Sequence, residues 1–192
     1  MNIILIGMKH SGKSSVGKTL SAMLDRKFFD IDEIIKTLFY KNYPKNKNVT
    51  QIFEIFKFLK EEKFRALEEK AFFSIKNVKN SVIAAAGGSI LNENNFEFLK
   101  NSKIIIYLKT SIDTLKKRIF LNKKKSIFQD EKFLIKTFEN REILYEKLAD
   151  ITIQTDDKDI QEIAFDTKNK IDQINHLKKI KTAQVETKYL YV

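Results

Sequence analysis

Apolar residues follow two kinds of pattern along the chain. Short continuous apolar runs, typical of strands buried on both faces of a parallel sheet, predict five strands. Stretches with apolar residues three or four positions apart predict amphipathic helices. The strands are expected at 3–6, 27–30, 81–86, 104–108 and 151–153. The helices are expected from about 13, and over 33–40, 52–59, 61–78, 92–100, 112–119, 131–148 and 158–178.

This alternation of strands and helices predicts an α/β fold. Helices would cover both faces of a central five-stranded parallel sheet, in three layers. A length of 192 residues suits one domain, which we expect to span 1–178. Residues 179–192 show no clear period and are expected to form a poorly ordered tail.

The stretch from Gly7 to Ser14 matches G-x-x-x-x-G-K-[ST] and lies between the first strand and the first helix. Backbone N–H groups of such a loop, and the helix that follows, point at phosphate groups. Lys13 is expected to reach the β- and γ-phosphates, and the Ser14 hydroxyl to bind Mg²⁺. The residues predicted to bind the nucleotide here are Gly7, Lys9, His10, Ser11, Gly12, Lys13, Ser14 and Ser15.

Two further polar positions follow predicted strands. Asp30 and Asp32 end the second strand, on the side of the sheet where ligands bind, and should both point toward the phosphate site. Alternatively, Asp32 simply caps the next helix. Gly87 and Gly88 follow the third strand, where adjacent glycines favour either close approach to a ligand or a plain turn.

The formal net charge of +11 suggests nucleic-acid binding, but the distribution of charge argues against it. Most of the 36 basic residues are lysines interleaved with Asp and Glu, which favours a solvated surface. The chain holds only four arginines: Arg26, Arg65, Arg118 and Arg141. In such a lysine-rich chain, an arginine suggests a place that needs a planar, bidentate fork.

The remaining bulk properties exclude several classes of site. The chain has no cysteine, hence no disulfide framework and no thiolate metal site. No apolar run reaches the length of a membrane span, and the start at Met1 runs directly into a strand, so we expect a cytoplasmic protein without a targeting segment. The basic segment 122–130 has no helical period. It is either a solvated charge run or a lid that supplies cations to a bound triphosphate.

Taken together, these motifs resemble the shikimate kinase family over nearly the whole chain, to about residue 157. The motifs occur in the family's order: the phosphate loop, Asp30-x-Asp32, Phe64-Arg65, Gly87-Gly88, Arg118 before a basic segment, and Arg141-x-x-x-Tyr145. Each is weak alone, whereas six in register are specific.

The resemblance implies a P-loop kinase that phosphorylates the 3-hydroxyl of shikimate with MgATP, in the pathway to chorismate and the aromatic amino acids. It implies a substrate-binding part at about 31–78 and a lid at about 122–130. For the acceptor, it implies that Asp32 binds the hydroxyls and acts as base, and that Arg65 and Arg141 clamp the carboxylate. Gly87 and Gly88 would contact the same substrate through backbone amides. For MgATP, it implies that Asp30 holds the metal through water and that Arg118 stacks on adenine. An anionic acceptor does favour arginine forks.

Three departures from the family pattern bear on this interpretation. Ala86 stands where the family has a third glycine, and an insertion around 41–49 precedes Lys60-Glu61, which replaces Gly-Glu. Lys125 stands where the family places the lid arginine that bridges the transferring phosphoryl group, so we expect Lys125 to be catalytic but without the fork.

Other functions remain open at this point. The chain could be a related kinase for another hydroxyl acceptor, such as gluconate or a nucleoside monophosphate, or a catalytically silent ATP-binding protein. A nucleic-acid-binding module is the weakest alternative. We expect small-molecule partners only, with no nucleic acid and no membrane, and a monomer.

Overall fold

The computed structural model describes residues 1–92, 95, 103–120, 127–128 and 130–189, with side chains except at 103 and 178–189. The strands are β1 (Asn2–Ile6), β2 (Lys27–Asp30), β3 (Ser81–Ala84), β4 (Lys103–Lys109) and β5 (Ile151–Gln154). The helices are α1 (Lys13–Met23), α2 (Ile31–Asn42), α3 (Ile52–Ser74), α4 (Ile112–Phe120), α5 (Glu131–Leu148) and α6 (Ile160–Tyr189).

The five strands form one parallel sheet in the order β2-β3-β1-β4-β5. Its centre is β1, where Ile4 pairs with Ile83 of β3 on one side and with Ile105 of β4 on the other. The carboxyl ends of β1, β2 and β3 are therefore neighbours, which brings together the three segments in which the sequence predicts polar site residues.

Alternation along β1 separates two buried cores. Ile3 and Leu5 face the core covered by α1 and α6, while Ile4 and Ile6 face the core covered by α2–α5. Successive side chains of a strand point to opposite faces, so a continuous apolar run fills both cores. This arrangement confirms the predicted three-layer α/β fold.

Helix α3 is interrupted between the two helices that the hydrophobic pattern predicts, 52–59 and 61–78. Lys60 has φ 59° and ψ 174°, which divides the helix into an 8-residue and a 14-residue part. The helix begins after Gln51, whose side chain forms a capping box with Glu54. Its second part ends at Ser74, short of the predicted 78.

Other boundaries differ modestly from the prediction. The last helix continues to Tyr189, past the expected end at 178, and the assignment of 179–192 as a separate tail stays a prediction. Most of the helix expected over 92–100 lies outside the described residues; a single 3₁₀ turn, Ser89–Leu91, precedes it. The 41–49 insertion is tied to α2, since the Tyr40 hydroxyl donates to the Val49 carbonyl at 2.9 Å. Among the helices described, none is both long and apolar enough to cross a bilayer.

Candidate active site

The phosphate loop has the tight backbone path that its glycines permit. Gly7 has φ +144° and Gly12 has φ +97°, both in the region that favours glycine. A Cβ at Gly7 would also lie 2.8 Å from the Leu108 carbonyl oxygen, so this position excludes any side chain. The loop therefore runs closely against β4 before α1 begins at Lys13.

Lys13 is held inside this loop, and none of the described acidic side chains forms an ion pair with it. Its Nζ donates to the carbonyl oxygens of Gly7 at 3.0 Å and Met8 at 2.8 Å, and the residue is 8% exposed. Burial lowers the pKa of Lys13 to about 8, although Asp32 and Asp30 act in the opposite direction. The ammonium remains mostly protonated at neutral pH and has neutral carbonyl partners that a phosphate can replace.

The loop fits a nucleoside triphosphate with Mg²⁺. The Ser11 hydroxyl is buried and has no hydrogen-bond partner among the described residues, and Ser14 is exposed at the first turn of α1. A cleft of about 350 Å³ lies over the loop, bounded also by Asp30, Ala85 and Arg118. No cluster of three or more His, Cys, Asp or Glu side chains that could hold a metal occurs within the described ranges. The few oxygens offered here, from Ser14 and Asp30, suit Mg²⁺, which is usually bound by few protein oxygens together with phosphates and water.

Asp30 and Asp32 have different local roles. The Asp30 carboxylate caps α2, because its Oδ1 accepts a hydrogen bond from the Asp32 amide at 2.9 Å. The alternative in which Asp32 caps this helix is therefore wrong. The Asp32 carboxylate stays available to a ligand, and burial, followed by the charge of Asp30, raises its pKa to about 6 against the opposing effect of Lys9 and Lys13. A partly buried carboxylate with a pKa near neutrality is suited to accept a proton.

A second, larger cleft of about 610 Å³ adjoins the first. Its walls include Arg65 and Arg141, Gly87 and Gly88, and an aromatic side formed by Phe53, Phe56, Phe64, Phe128 and Phe133. Of the described residues, three line both clefts: Lys9, Asp32 and Gly87. Two ligands, one bound in each cleft, would therefore lie next to each other beside Asp32.

Arg65 is positioned by a buried carboxylate. Its Nη1 donates to Glu68 Oε2 at 2.9 Å, and Glu68 is fully buried and also accepts a hydrogen bond from the Ser89 hydroxyl at 3.0 Å. Glu61 lies farther from Arg65, at 3.6 Å. This network orients the guanidinium at the cleft wall, where a carboxylate ligand can accept from it.

Arg141 and Tyr145 converge on the glycine pair from α5. The Arg141 Nη1 donates to the Gly87 carbonyl at 3.1 Å, and the Tyr145 hydroxyl donates to the same oxygen. The Tyr145 ring is fully buried and stacks on Tyr107 of β4, with centroids 5.1 Å apart. These contacts fix the turn after β3 against the sheet.

Arg118, from α4, lines the smaller cleft. Its Nη1 donates to the His10 carbonyl at 3.0 Å, which links α4 to the phosphate loop. Just before α4, the Ser111 hydroxyl donates to Asp156 at 2.9 Å and the Ser111 amide donates to the same carboxylate. These hydrogen bonds hold the chain after β5 close to the start of α4.

The structure thus brings the predicted residues together around two adjoining clefts, apart from Lys125. That residue and most of the predicted lid lie outside the described residues; of its members, Phe128 is buried in the wall of the larger cleft. Sequence reasoning gave no role to Glu68 or Ser89, and it named Tyr145 only as part of the motif that begins at Arg141. The spacing of Arg65 and Glu68, three residues apart on a helix, was the available signal for their ion pair.

Comparisons with known proteins agree with this geometry. The family model described as shikimate kinase matches residues 9–172. A shikimate kinase from Caldanaerobacter subterraneus is 34% identical over 166 residues, covering 85% of this chain and 91% of that protein. One from Haemophilus influenzae is 29% identical over 180 residues, covering 92% and 95%.

Solved structures give the same result. A shikimate kinase from Acinetobacter baumannii, in complex with shikimate, superposes with a TM-score of 0.75 at 30% identity, covering 88% of this chain and 92% of that chain. One from Aquifex aeolicus gives a TM-score of 0.72 at 28% identity, with coverages of 90% and 96%. The family match spans well over half of the chain and includes most of the residues that form both clefts. The chain belongs to the shikimate kinase family.

Proposed function

We propose that the protein transfers the γ-phosphoryl group of MgATP to the 3-hydroxyl of shikimate. The observation that carries this proposal is the Asp32 carboxylate at the junction of a phosphate-binding cleft and an arginine-lined cleft. The smaller cleft takes the nucleotide and the larger one takes a small hydroxy acid. Arg65 and Arg141 bind its carboxylate, while the backbone of Gly87 and Gly88 lies against its ring.

The chemistry follows from these positions. Asp32 accepts the proton of the acceptor hydroxyl as the hydroxyl oxygen attacks the γ-phosphorus. Lys13, already charged and freed from its carbonyl partners, neutralises the β- and γ-phosphates. Bound Mg²⁺, which Ser14 would ligand directly and Asp30 through water, adds positive charge at the phosphates. Arg118 packs along the nucleotide base, and the 122–130 segment with Lys125 covers the phosphates.

Selectivity for a carboxylate-bearing acceptor follows from the charge of the larger cleft. Its wall combines two arginines with five phenylalanines, which favours a small carboxylate on a carbon ring over a nucleoside monophosphate. The family relationship is consistent with a cytoplasmic monomer that has no nucleic-acid partner, which we include in the proposal.

The test is ADP release from MgATP with shikimate, quinate, gluconate or no acceptor, with Lys13→Ala as the inactive control. We expect turnover that depends on shikimate. Turnover with gluconate alone would assign another acceptor, and nucleotide binding without transfer to any acceptor would identify a silent nucleotide binder. Size-exclusion chromatography with light scattering tests the monomer.

A further inference from the structure

Lys9 occupies the one position of the phosphate loop that lines both clefts. It faces the nucleotide cleft together with Lys13, and the larger cleft together with Arg65. Its backbone packs tightly on the glycine turn, since a Cβ at Gly87 would lie 3.1 Å from the Lys9 amide nitrogen. The Lys9 side chain is therefore carried on a well-fixed segment at the junction of the two sites.

The Lys9 ammonium has no hydrogen-bond or ion-pair partner in the described part of the chain, although the residue is partly buried. Its neighbours differ in this respect. Lys13 donates to two carbonyl groups, and Lys36 pairs with Glu33 at 2.7 Å. Partial burial of an unpaired cation costs free energy, and burial lowers the pKa of Lys9 even though the Asp32 charge acts to raise it. A bound anion at this point would compensate for that cost.

The position of Lys9 indicates which anion it meets. The acceptor carboxylate has its own cations, Arg65 and Arg141, which line only the larger cleft. The boundary between the clefts, where Lys9 and Asp32 lie, is the place that the transferred group must cross. The group that crosses it is the γ-phosphoryl.

We propose that the Lys9 ammonium binds the γ-phosphoryl group as it passes from ATP to the acceptor, as a second cation of the loop beside Lys13. In this step the bond from the γ-phosphorus to the β–γ bridging oxygen breaks, and a bond to the acceptor hydroxyl oxygen forms. The hydroxyl proton goes to Asp32, and ADP leaves with the bridging oxygen and its negative charge. Lys9 donates to the non-bridging oxygens throughout.

This role rests on the proposed kinase function and complements the sequence change in the lid. Lys125 replaces a bidentate arginine in the family pattern, whereas Lys9 adds a cation on the loop itself. The charge of Lys9 therefore reaches the phosphoryl group independently of the 122–130 segment.

The experiment compares the parent protein with Lys9→Met and Lys9→Arg, and uses Lys36→Met as a matched control that removes a nearby lysine outside both clefts. Calorimetry first measures binding of ADP and of the β,γ-imido analogue of ATP without acceptor. We expect Lys9→Met to weaken binding of the analogue about tenfold while ADP affinity stays within about twofold, because ADP lacks the γ group. Lys36→Met should leave both affinities unchanged.

Steady-state kinetics with shikimate then test the transfer step. Lys9→Met should lower kcat about 10²-fold, the usual effect of removing one preorganised group that stabilises the transition state, with KM for shikimate within about threefold. Lys9→Arg should recover kcat to within about tenfold of the parent, since it restores the charge.

Two results would overturn the proposal: an unchanged preference of Lys9→Met for the triphosphate analogue over ADP, or a rise in KM for shikimate as its only defect. The nucleotide measurements need no acceptor. If the parent shows no shikimate-dependent turnover, the proposed function fails, while the binding arm still decides the role of Lys9.

Discussion

Gly88 lies directly against the guanidinium of Arg65. A Cβ at Gly88 would be 2.8 Å from Nη1 and 3.0 Å from Nη2 of that arginine. Gly88 has φ −99°, a conformation that any residue adopts. This glycine is therefore required for the space that Arg65 occupies and not for the path of its own backbone.

The first prediction concerns Gly88→Ala. The new methyl group displaces the end of a flexible side chain, so the fold should tolerate it while Arg65 loses its position. We expect KM for shikimate to rise about tenfold, the equivalent of one weakened charged hydrogen bond. The free energy of unfolding, measured in urea, should change by less than about 1 kcal/mol. An unchanged KM would mean that Arg65 does not bind the acceptor.

The second prediction is a decline of activity at low pH. Asp32 must be ionised to accept the hydroxyl proton, and its pKa in the folded protein is about 6. Activity measured as kcat/KM should therefore fall about tenfold per pH unit below pH 6. A profile that stays flat down to pH 5, with folding confirmed by circular dichroism, would exclude Asp32 as the base.

The same carboxylate predicts that activity and stability oppose each other. The folded-state pKa of Asp32 is raised above the ordinary 3.8, so the protein favours the neutral acid. The stability from that neutral form is fully present below pH 3.8 and is lost as pH rises through about 6. Asp32→Asn, neutral at all pH values, should raise the free energy of unfolding by about 1–3 kcal/mol at pH 8. The gain should vanish near pH 4, and turnover should be lost at both values.

The third prediction uses the stacked tyrosines as a matched pair. Tyr145→Phe removes a hydrogen bond to the Gly87 carbonyl and should cost about 1 kcal/mol of stability, with a raised KM for shikimate. The Tyr107 hydroxyl is buried and has no hydrogen-bond partner in the part of the chain that the structure describes. Tyr107→Phe should therefore leave stability unchanged or raise it by about 1 kcal/mol, with normal kinetics. Both variants keep the stacked rings, so equal losses would contradict the prediction that the Tyr145 hydrogen bond to Gly87 makes the difference.

The fourth prediction addresses the lid. Lys125→Arg should raise kcat with shikimate, because it restores the bidentate contact of the family pattern to the phosphoryl group. Lys124→Arg, one position earlier, is the control for a general effect of arginine. A Lys125→Arg variant slower than the parent would contradict the lid role of Lys125.

The sequence predicted those parts of the fold and site that depend on local patterns. The apolar runs located all five strands, because parallel strands buried on both faces leave a distinctive continuous run. The break in α3 at Lys60 was visible as a change between two helical patterns. The phosphate loop, Asp32 and Gly87–Gly88 were singled out because each follows a strand, and their roles in binding and catalysis stay predictions.

What the sequence could not supply are relationships between distant segments. Tyr145 binds the Gly87 carbonyl across 58 positions, and only the sheet order brings them together. Which of two aspartates caps α2 depends on where the helix starts, within the one or two residues by which boundary predictions err. Whether the Lys9 ammonium has a partner depends on which distant segments the fold places around it, and a local sequence pattern does not specify that.

The shared wall of the two clefts has a thermodynamic consequence. Because Lys9 and Asp32 line both clefts, we expect a ligand in one cleft to change the electrostatic environment of a ligand in the other. The nucleotide and the acceptor therefore bind with a coupling free energy, and linkage makes it reciprocal. Whatever factor MgATP applies to the affinity for the acceptor, the acceptor applies to the affinity for MgATP, and we expect this cooperativity to depend on one ammonium and one carboxylate.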